Sequence, residues 1–459
     1  MLSSNPQRPA SGPFKPPSPD VVAPPLPASQ GPAPQLAVPD AGDSPFRKLA
    51  FYMALAMLFT RLTVLPEILR ALTGVDTYLL YVVGPPAILG AVITGGLGRT
   101  YRHRAAYFWT AFFICMILAT PFSYWPGGSM GLLVTYARVE FPFLIVIAGL
   151  ITSWAEVRSV FNTVAVSAVV NLITARLFTT GETGRLDLAS VTGTIGNAND
   201  LAAQLVLVLP FLGWIVLDGK RNIALRIGLI PLIAYGVWVI FGTASRGALL
   251  ALCITGVYLF WRASLPRRIL CLAVGGLMAA MLFTLVPQSA LNRFGTLAGE
   301  EDKEAQESAE SRSYLFQQSL KYTAQHPLLG VGPDQFSNYE GQTRTAEGLR
   351  GAWHATHCSW TQVSSECGIP AALFFALGIA SALRIVSRIR KTAVELGDPD
   401  IQAMCVCYLT AMVGFLTALT FLSNAYRFYF PVLVGLAVAM HFAAEAQFAA
   451  RRMAAVQPA

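Results

Sequence analysis

Apolar residues occur in long blocks that are separated by polar connections over most of the chain. A helix needs about 20 mostly apolar residues to cross a bilayer, whereas the strands of a membrane β-barrel alternate in character over about 10 residues. We therefore predict an all-α, polytopic membrane protein with about 12 transmembrane helices. The apolar blocks lie at approximately 48–66, 78–97, 105–121, 131–152, 158–178, 200–217, 223–241, 247–261, 269–286, 361–383, 402–422 and 428–446.

The blocks divide the chain into segments of different character. Residues 1–45 are rich in Pro, Ala, Ser and Gly and cannot bury a core, so we expect a disordered cytoplasmic tail. The first nine transmembrane helices are expected within 46–286 and the last three within 361–447. A large, partly helical periplasmic loop is expected at 287–360, and a cytoplasmic tail at 448–459.

The distribution of charge gives the orientation. Only 13% of the residues are charged, against about 25% in soluble proteins, and the net charge is +8. We do not interpret this charge as nucleic-acid binding, because Lys and Arg cluster in the connections between every second pair of blocks, which is the positive-inside pattern. This pattern places both termini in the cytoplasm. The basic connections contain, among others, Arg47, Arg99, Arg158, Lys220, Arg262, Arg384 and Arg451.

Four polar segments face outward in this topology, and each carries an arginine that the positive-inside rule makes exceptional. The segments are 179–199, 242–246, 287–360 and 423–427. The arginines are Arg185, Arg246, Arg312 and Arg427. Because a guanidinium binds phosphate through two parallel hydrogen bonds, we interpret them as a site for a lipid-linked phosphate or diphosphate. The alternative is that each arginine extends to lipid headgroups or pairs locally.

Two further groups of polar residues lie on the same side. Asn197, Asn199 and Asp200 precede an apolar block, where Asn199 or Asp200 is the expected N-cap of a helix whose free N–H groups favour anions. His354 and His357 lie just before the tenth block, and a neutral histidine there is suited to act as a general base. A structural role for the histidines stays open. Zinc binding is disfavoured, because no set of three or four ligands has regular spacing.

Four patterns in the outward segments follow one another in a fixed order. They are Arg185 followed by Gly193 to Asn199 and Asp200-Leu-Ala; Thr243-Ala-Ser245-Arg246-Gly247; Arg312 followed by His326-Pro-Leu-Leu-Gly330-Val-Gly332-Pro-Asp-Gln-Phe336; and His357 followed by Glu366 and Gly368. Together they resemble the bacterial O-antigen ligase and O-antigen polymerase superfamily of membrane glycosyltransferases, over roughly 180–375. Ala198 and Cys358 depart from that family's usual proline and asparagine.

The resemblance implies a metal-independent, inverting enzyme of C-type glycosyltransferase-like architecture in the bacterial inner membrane, with a periplasmic active site. The expected donor is a glycan on undecaprenyl diphosphate, and the expected acceptor is lipid A–core or another glycan. Besides these substrates we expect membrane lipids as partners, with no nucleic acid, metal or cofactor.

The resemblance also implies roles for individual residues. His357 is the expected catalytic base. The residues expected to bind the diphosphate are Arg185, Arg246, Arg312 and Arg427. The expected supporting residues are Asn197, Asn199, His354, Glu366 and Gly368.

Several functions remain open at this point. A ligase in lipopolysaccharide biosynthesis is the preferred hypothesis, and an O-antigen or polysaccharide polymerase with the same donor is the first alternative. A protein O-oligosaccharyltransferase or a 12-span transporter comes next. Arg138 and Glu140 lie within the fourth apolar block, as ionisable residues of transporters do, and they could pair with each other or with neighbours. The two halves of the chain show no similarity to each other, which favours an enzyme.

Overall fold

The computed structural model describes residues 44–63, 65–179, 197–262 and 303–456, together with positions 186, 188, 195, 265, 268, 269, 272, 275 and 276. Across these residues the chain forms helices and no β-strand. The predicted tail at 1–45 and the predicted apolar block at 269–286 lie almost wholly outside the described residues. The all-α class is confirmed for the described part of the chain.

The helices are numbered here in chain order. The first eight are α1 (Pro45–Leu62), α2 (Leu65–Thr73), α3 (Leu79–Ile93), α4 (Gly96–Thr100), α5 (Arg104–Ala119), α6 (Pro126–Thr135), α7 (Pro142–Leu150) and α8 (Trp154–Phe178). The next eight are α9 (Ala198–Leu217), α10 (Ile223–Gly242), α11 (Arg246–Arg262), α12 (Lys303–Gln325), α13 (Phe336–Ala346), α14 (Ser359–Glu395), α15 (Pro399–Leu419) and α16 (Tyr429–Val456). A π-helical turn, Tyr136–Glu140, joins α6 to α7.

Eight helical segments in the described part of the chain are long and apolar enough to cross a membrane. They are Arg104–Phe122, Pro126–Leu150, Trp154–Phe178, Ala198–Leu217, Ile223–Gly242, Ser359–Glu395, Pro399–Leu419 and Tyr429–Met453. Helices α1 and α2 form a pair bent by 63° that would add a ninth span, and α3 is apolar but has 15 residues. The multi-pass membrane class therefore stands, whereas the count of about 12 spans stays a prediction.

The centre of the bundle is built on α14 and α9. Helix α14 packs along α5, α15 and α16, and α9 packs along α8, α10 and α15. Aromatic side chains fill the space between α5, α14 and α16, where Trp109 contacts Phe375 and Phe430 at ring-centroid distances of 5.5 and 5.7 Å. The buried indole of Trp109 donates a hydrogen bond to the Tyr136 hydroxyl at 3.0 Å, so its polar atom is satisfied.

Helix α14 is broken inside its apolar stretch. Gly368 has φ 86° and ψ 172°, which lies outside the helical region, and Pro370 follows two residues later. Such a break frees backbone N–H and C=O groups, and at membrane depth these groups need partners from the protein. The partners come from the loop before α13, which is described with the site.

Ion pairs hold the opposite end of the bundle, which carries the basic connections. Arg47 is buried and binds Glu156 at 2.7 Å and the carbonyl oxygen of Leu150 at 2.6 Å. Arg158 binds Asp218 at 3.1 Å and also pairs with Asp400. The contacts of Arg47 join α1 to α7 and α8, and those of Arg158 join α8 to α15.

A further ion pair lies among the helices. Glu140 in the π-helical turn is 4% exposed and binds Arg61 of α1 at 2.6 Å, and Arg61 also lies over the ring of Phe428 at 5.4 Å. Arg138 lies over the ring of Tyr81 at 5.4 Å. The sequence left the partner of Glu140 open, and the structure assigns it to Arg61.

The Arg61–Glu140 pair predicts coupled effects on stability. Glu140→Leu leaves the charge of Arg61 buried without its partner, so we expect a loss of about 3–5 kcal/mol, measured by thermal unfolding of the purified protein. The double change Arg61→Leu with Glu140→Leu should recover much of this loss, because no unpaired charge remains. Arg70→Leu is the control, since Arg70 pairs with Asp76 on the surface with 63% and 46% exposure. Additive losses in the double variant would contradict the coupling.

Candidate functional site

His357 lies in the last turn of chain before α14 in an uncommon backbone conformation. Its φ is 53°, in the left-handed region that residues other than glycine seldom adopt. The N–H of His357 donates to the hydroxyl of Ser423 at 2.8 Å, and the Thr356 and Ser423 hydroxyls are 3.1 Å apart. The surrounding structure thus fixes the backbone of His357 in a strained conformation, as occurs at functional sites.

The surroundings of His357 favour its neutral form. Burial and, to a smaller extent, the nearby Arg312 and His354 together lower the pKa of His357 from its ordinary value of 6.5 to about 4. His357 is therefore neutral at physiological pH and able to accept a proton. The same interactions place Arg312 of α12 and His354 near the ring.

The segment 423–427 meets the start of α9 next to His357. Asn424 donates to the Asp200 carboxylate at 2.9 Å, and the amide of Asn197 donates to the other oxygen of Asp200 at 2.6 Å. Arg427 lies close enough to Asp200 and Asp334 to interact with both electrostatically. The structure thus gathers His357, Arg312, Arg427 and Asn197 at one end of the bundle.

The predicted cap of α9 is wrong by two to three residues. The sequence indicated Asn199 or Asp200, but the N-cap is Asn197, whose side-chain oxygen accepts the N–H of Asp200 at 2.9 Å. Asn197 has the extended backbone that capping needs, with φ −135°. Asn199 lies in the first helical turn instead.

Arg246 begins α11 at the same end. The hydroxyl of Ser245 accepts the N–H of Ala248 at 3.4 Å, and a Cβ added to Gly247 would lie 2.8 Å from the side chain of Phe421. Gly247 therefore allows α11 to pack closely beside the segment that carries Ser423 and Arg427. Arg185 lies outside the described residues; its neighbour Leu186 donates its N–H to the Gly242 carbonyl at 2.9 Å, close to the α10–α11 turn.

Glu366 fixes the loop between α12 and α13 onto α14. Its buried carboxylate accepts the N–H groups of Asp334 at 3.0 Å and Phe336 at 3.4 Å, and it also bonds the Tyr426 hydroxyl. The backbone around the break at Gly368 bonds the same loop. The N–H of Val331 donates to the Ser365 carbonyl at 2.8 Å, that of Gly332 to Glu366 at 2.9 Å, and that of Ile369 to Pro327 at 2.7 Å.

Two glycines let the two backbones approach this closely. Gly330 has φ 67°, and a Cβ there would lie 2.2 Å from the backbone carbon of Glu366. Gly368 has φ 86°, and a Cβ there would lie 2.2 Å from the carbonyl oxygen of Leu328. The Gly330-Val-Gly332 and Glu366-x-Gly368 patterns thus contact each other directly. Their backbones lie so close that a side chain at Gly330 or Gly368 would not fit.

Glu340 is a second buried carboxylate, which the sequence did not single out. It accepts the Tyr314 hydroxyl at 2.9 Å and the N–H groups of Ala352 at 3.0 Å and Trp353 at 3.1 Å. Glu340 therefore ties the chain just before His354 to α12 and α13. In sequence it is one acidic residue in a polar loop, and such a residue is ordinarily solvated.

The connection between α5 and α6 also holds the loop. The N–H of Tyr124 donates to the Val331 carbonyl at 2.8 Å, and the Ser129 hydroxyl donates to the Pro333 carbonyl at 2.8 Å. Sequence reasoning missed these residues too, because no motif marks them.

His354 is exposed, and His326 bonds the Tyr339 hydroxyl at 3.1 Å. Among the described residues no group of three or more His, Cys, Asp or Glu side chains is arranged to hold a metal ion.

The close backbone contact at Gly330 predicts that a single added methyl group at this position will destabilise the fold. Gly330→Ala should lower the unfolding temperature of the purified protein and expose the loop 326–336 to protease, because its Cβ would overlap the backbone of Glu366. Gly348→Ala is the control, since Gly348 also has a positive φ of 75° but no atom within 4 Å. The control should cost only about 1–2 kcal/mol from backbone strain. Equal losses in the two variants would contradict a close backbone contact at Gly330.

Comparison with known families gives a match over residues 231–376 to the family described as O-Antigen ligase. The match begins in α10, ends in α14 and contains Arg246, Arg312, His357 and Glu366. Comparison with curated proteins gives no match. The matched residues include the loop, the break in α14 and the histidine described above, and over these residues the chain is similar to the O-antigen ligase family.

Proposed function

We propose that the protein is an O-antigen ligase-type glycosyltransferase, which moves a glycan from undecaprenyl diphosphate to a lipid A–core acceptor, or to a related acceptor, on the periplasmic face. The family match over residues 231–376 supports a membrane glycosyltransferase of the ligase or polymerase type. The observation that carries the proposal is the position of His357, which is neutral, rigidly held and next to the positive charge of Arg312 at the start of a membrane helix.

The proposed reaction is a single displacement at the anomeric carbon of the donor. His357 accepts the proton of an acceptor hydroxyl, and the hydroxyl oxygen forms a bond to the anomeric carbon. The bond from that carbon to the diphosphate oxygen breaks on the opposite face, so the configuration inverts. The diphosphate leaves with the electron pair, and His357 later releases its proton to water.

The arginines supply the charge stabilisation in this proposal. Negative charge grows on the diphosphate as its bond breaks, and fixed guanidinium groups stabilise such charge most where water is excluded. We assign this role to Arg246 and Arg427, with Arg312 assisting. Arg185 keeps its predicted role, and Leu186 next to it lies against the turn that precedes Arg246.

Donor binding also changes the pKa of the proposed base, His357. Arg312 and His354 lower the pKa of His357 in the free protein. A diphosphate bound next to Arg312 offsets the positive charge there, so it raises the pKa of His357 toward its ordinary value. His357 thus becomes a stronger base after the donor has bound, which favours donor binding before proton transfer.

The pH dependence of the rate tests this linkage. The protonated form of His357 cannot act as a base, so kcat/KM for the donor should be constant at neutral pH and fall as the pH drops through about 4. The profile of kcat should fall at a higher pH, because the donor is then bound. Arg312→Gln should move the midpoint of kcat/KM upward, whereas Lys321→Gln on the same helix should not. A midpoint of kcat/KM at or above 6.5 would contradict a buried, positively surrounded base.

Transfer by the purified protein tests the function. Undecaprenyl-diphosphate-linked glycan is supplied with and without lipid A–core, and with EDTA. We expect transfer to the core that EDTA does not inhibit, with a loss of about 10²–10⁴-fold in His357→Ala, because this is the usual contribution of a general base. His326→Gln is the control, since His326 is exposed and bonds Tyr339.

The outcomes of this assay separate the hypotheses. Elongation of the glycan on its own carrier would replace the ligase by the polymerase and keep the site. Full activity in a folded His357→Ala variant would remove His357 from the mechanism. No consumption of the donor with either acceptor would reject both glycosyltransferase hypotheses for these substrates.

A further inference from the structure

A cavity of about 460 Å³ lies between α5, α14 and α16, far from His357. Four arginines line it: Arg104, Arg384, Arg388 and Arg452. On α14 the cavity lies beyond Ser381, which is more than six helical turns and about 30 Å from Ser359 at the start of that helix. It is therefore separate from the candidate active site, at the end of the bundle that carries the basic connections.

Four arginines outnumber the one carboxylate among the residues that line the cavity. Elsewhere at this end arginines meet carboxylates, as in Arg47 with Glu156 and Arg451 with Asp398. Within the described part of the chain, the four arginines of the cavity form no hydrogen bond or ion pair. The acidic residue in the lining is Glu445, which lies 3.4 Å from His441. The four side chains are exposed and carry charges of the same sign, so an anion bound among them would reduce their repulsion and stabilise the bundle.

His103 also lines the cavity, and the positive charges around it affect its pKa. Burial and, to a smaller extent, the nearby His441, Arg104 and Arg388 together lower the pKa of His103 to about 4. The backbone N–H of Ala105 donates to Nδ1 of His103 at 3.1 Å, an arrangement that requires this nitrogen to be unprotonated. The histidine thus stays neutral beside a cluster of guanidinium groups.

The lining matches a phosphate attached to an apolar chain. Guanidinium groups bind phosphate oxygens through paired, charge-assisted hydrogen bonds. Ile385, Ile389 and Phe448 supply an apolar wall beside the arginines. The volume lies within the range of about 300–1,000 Å³ that is usual for small-molecule sites. A free phosphate ion would use only the arginines, whereas a lipid would use both surfaces.

We propose that this cavity binds the phosphate-bearing headgroup of an anionic phospholipid and that the lipid bridges α5, α14 and α16. On the predicted topology the cavity opens on the cytoplasmic face, where basic pockets between membrane helices bind anionic lipids. The proposal does not depend on the glycosyltransferase reaction, because no residue of the candidate active site lines the cavity.

The test uses the purified full-length protein in a neutral detergent. Phosphatidylglycerol is added in one arm, phosphatidylcholine in a second and inorganic phosphate in a third. Retained lipid is measured by native mass spectrometry, and Tm is measured by thermal unfolding. We expect phosphatidylglycerol to be retained and to raise Tm, and the other two additions to do neither. Arg384→Gln with Arg388→Gln should weaken phosphatidylglycerol binding by about tenfold or more, which corresponds to about 1.4 kcal/mol.

Two control variants separate the site from general surface charge. Arg102→Gln with Lys391→Gln removes the same net charge at this end of the bundle from exposed residues that do not line the cavity, and binding should persist. Arg384→Lys with Arg388→Lys keeps the charge and should bind more weakly than the native protein, but more tightly than the glutamine pair.

Each contrary outcome overturns the proposal. Equal loss in the two glutamine variants would show general electrostatic attraction to the bundle. Equal stabilisation by inorganic phosphate would identify a free anion as the ligand. No retention of phosphatidylglycerol by the folded native protein would reject the site.

Discussion

The arrangement of the site depends on the break in α14 at Gly368. A membrane helix cannot leave backbone groups without partners, so a break inside it requires another segment to bond the freed groups. Here the loop 326–336 does so, and Glu366 adds a buried carboxylate that accepts two N–H groups from the same loop. Backbone hydrogen bonds thus hold this loop to the helix on both sides of the break. Because α14 begins just after His357, the same constraint sets where the histidine lies relative to the helices around it.

Other polar anchors complete the frame around His357. Glu340 ties residues 352 and 353 to α12, and Ser423 holds the N–H of His357 itself. Arg312 lies on α12, so a helix positions the charge that acts on the histidine. A base and its neighbouring charges held in this way need little rearrangement when substrates bind, which is where positioning lowers a reaction barrier. The strained φ of His357 is consistent with such a requirement.

Much of this architecture was predictable from the sequence, but for two different reasons. The membrane helices follow from hydropathy alone, because the bilayer permits few alternatives, and the predicted blocks other than 269–286 fall on described helices. Glu366, Gly368 and the Gly330–Gly332 stretch were found through an ordered pattern of motifs, although their mutual contact was not. Glu340, Tyr124 and Ser129 carried no signal, since an acid in a polar loop or a serine between helices is ordinarily exposed. Their contacts join residues far apart in the chain, as Ser129 and Pro333 do, and only the folded structure brings them together.

The same electrostatic rule operates at both ends of the bundle. An arginine held among helices is stable when a carboxylate is near, as for Arg61 with Glu140 and Arg47 with Glu156. Burial and, to a smaller extent, neighbouring positive charges lower the pKa values of His357 and His103 to about 4, so both histidines are neutral at physiological pH. In the proposed reaction the anion that binds near His357 is the diphosphate of the donor, which leaves after each turnover. At His103 no reaction removes the anion, so a headgroup bound there would act as a lasting part of the structure. In these two proposals the positive charge binds a substrate at one end of the bundle and a lipid at the other, and only the lipid stays bound.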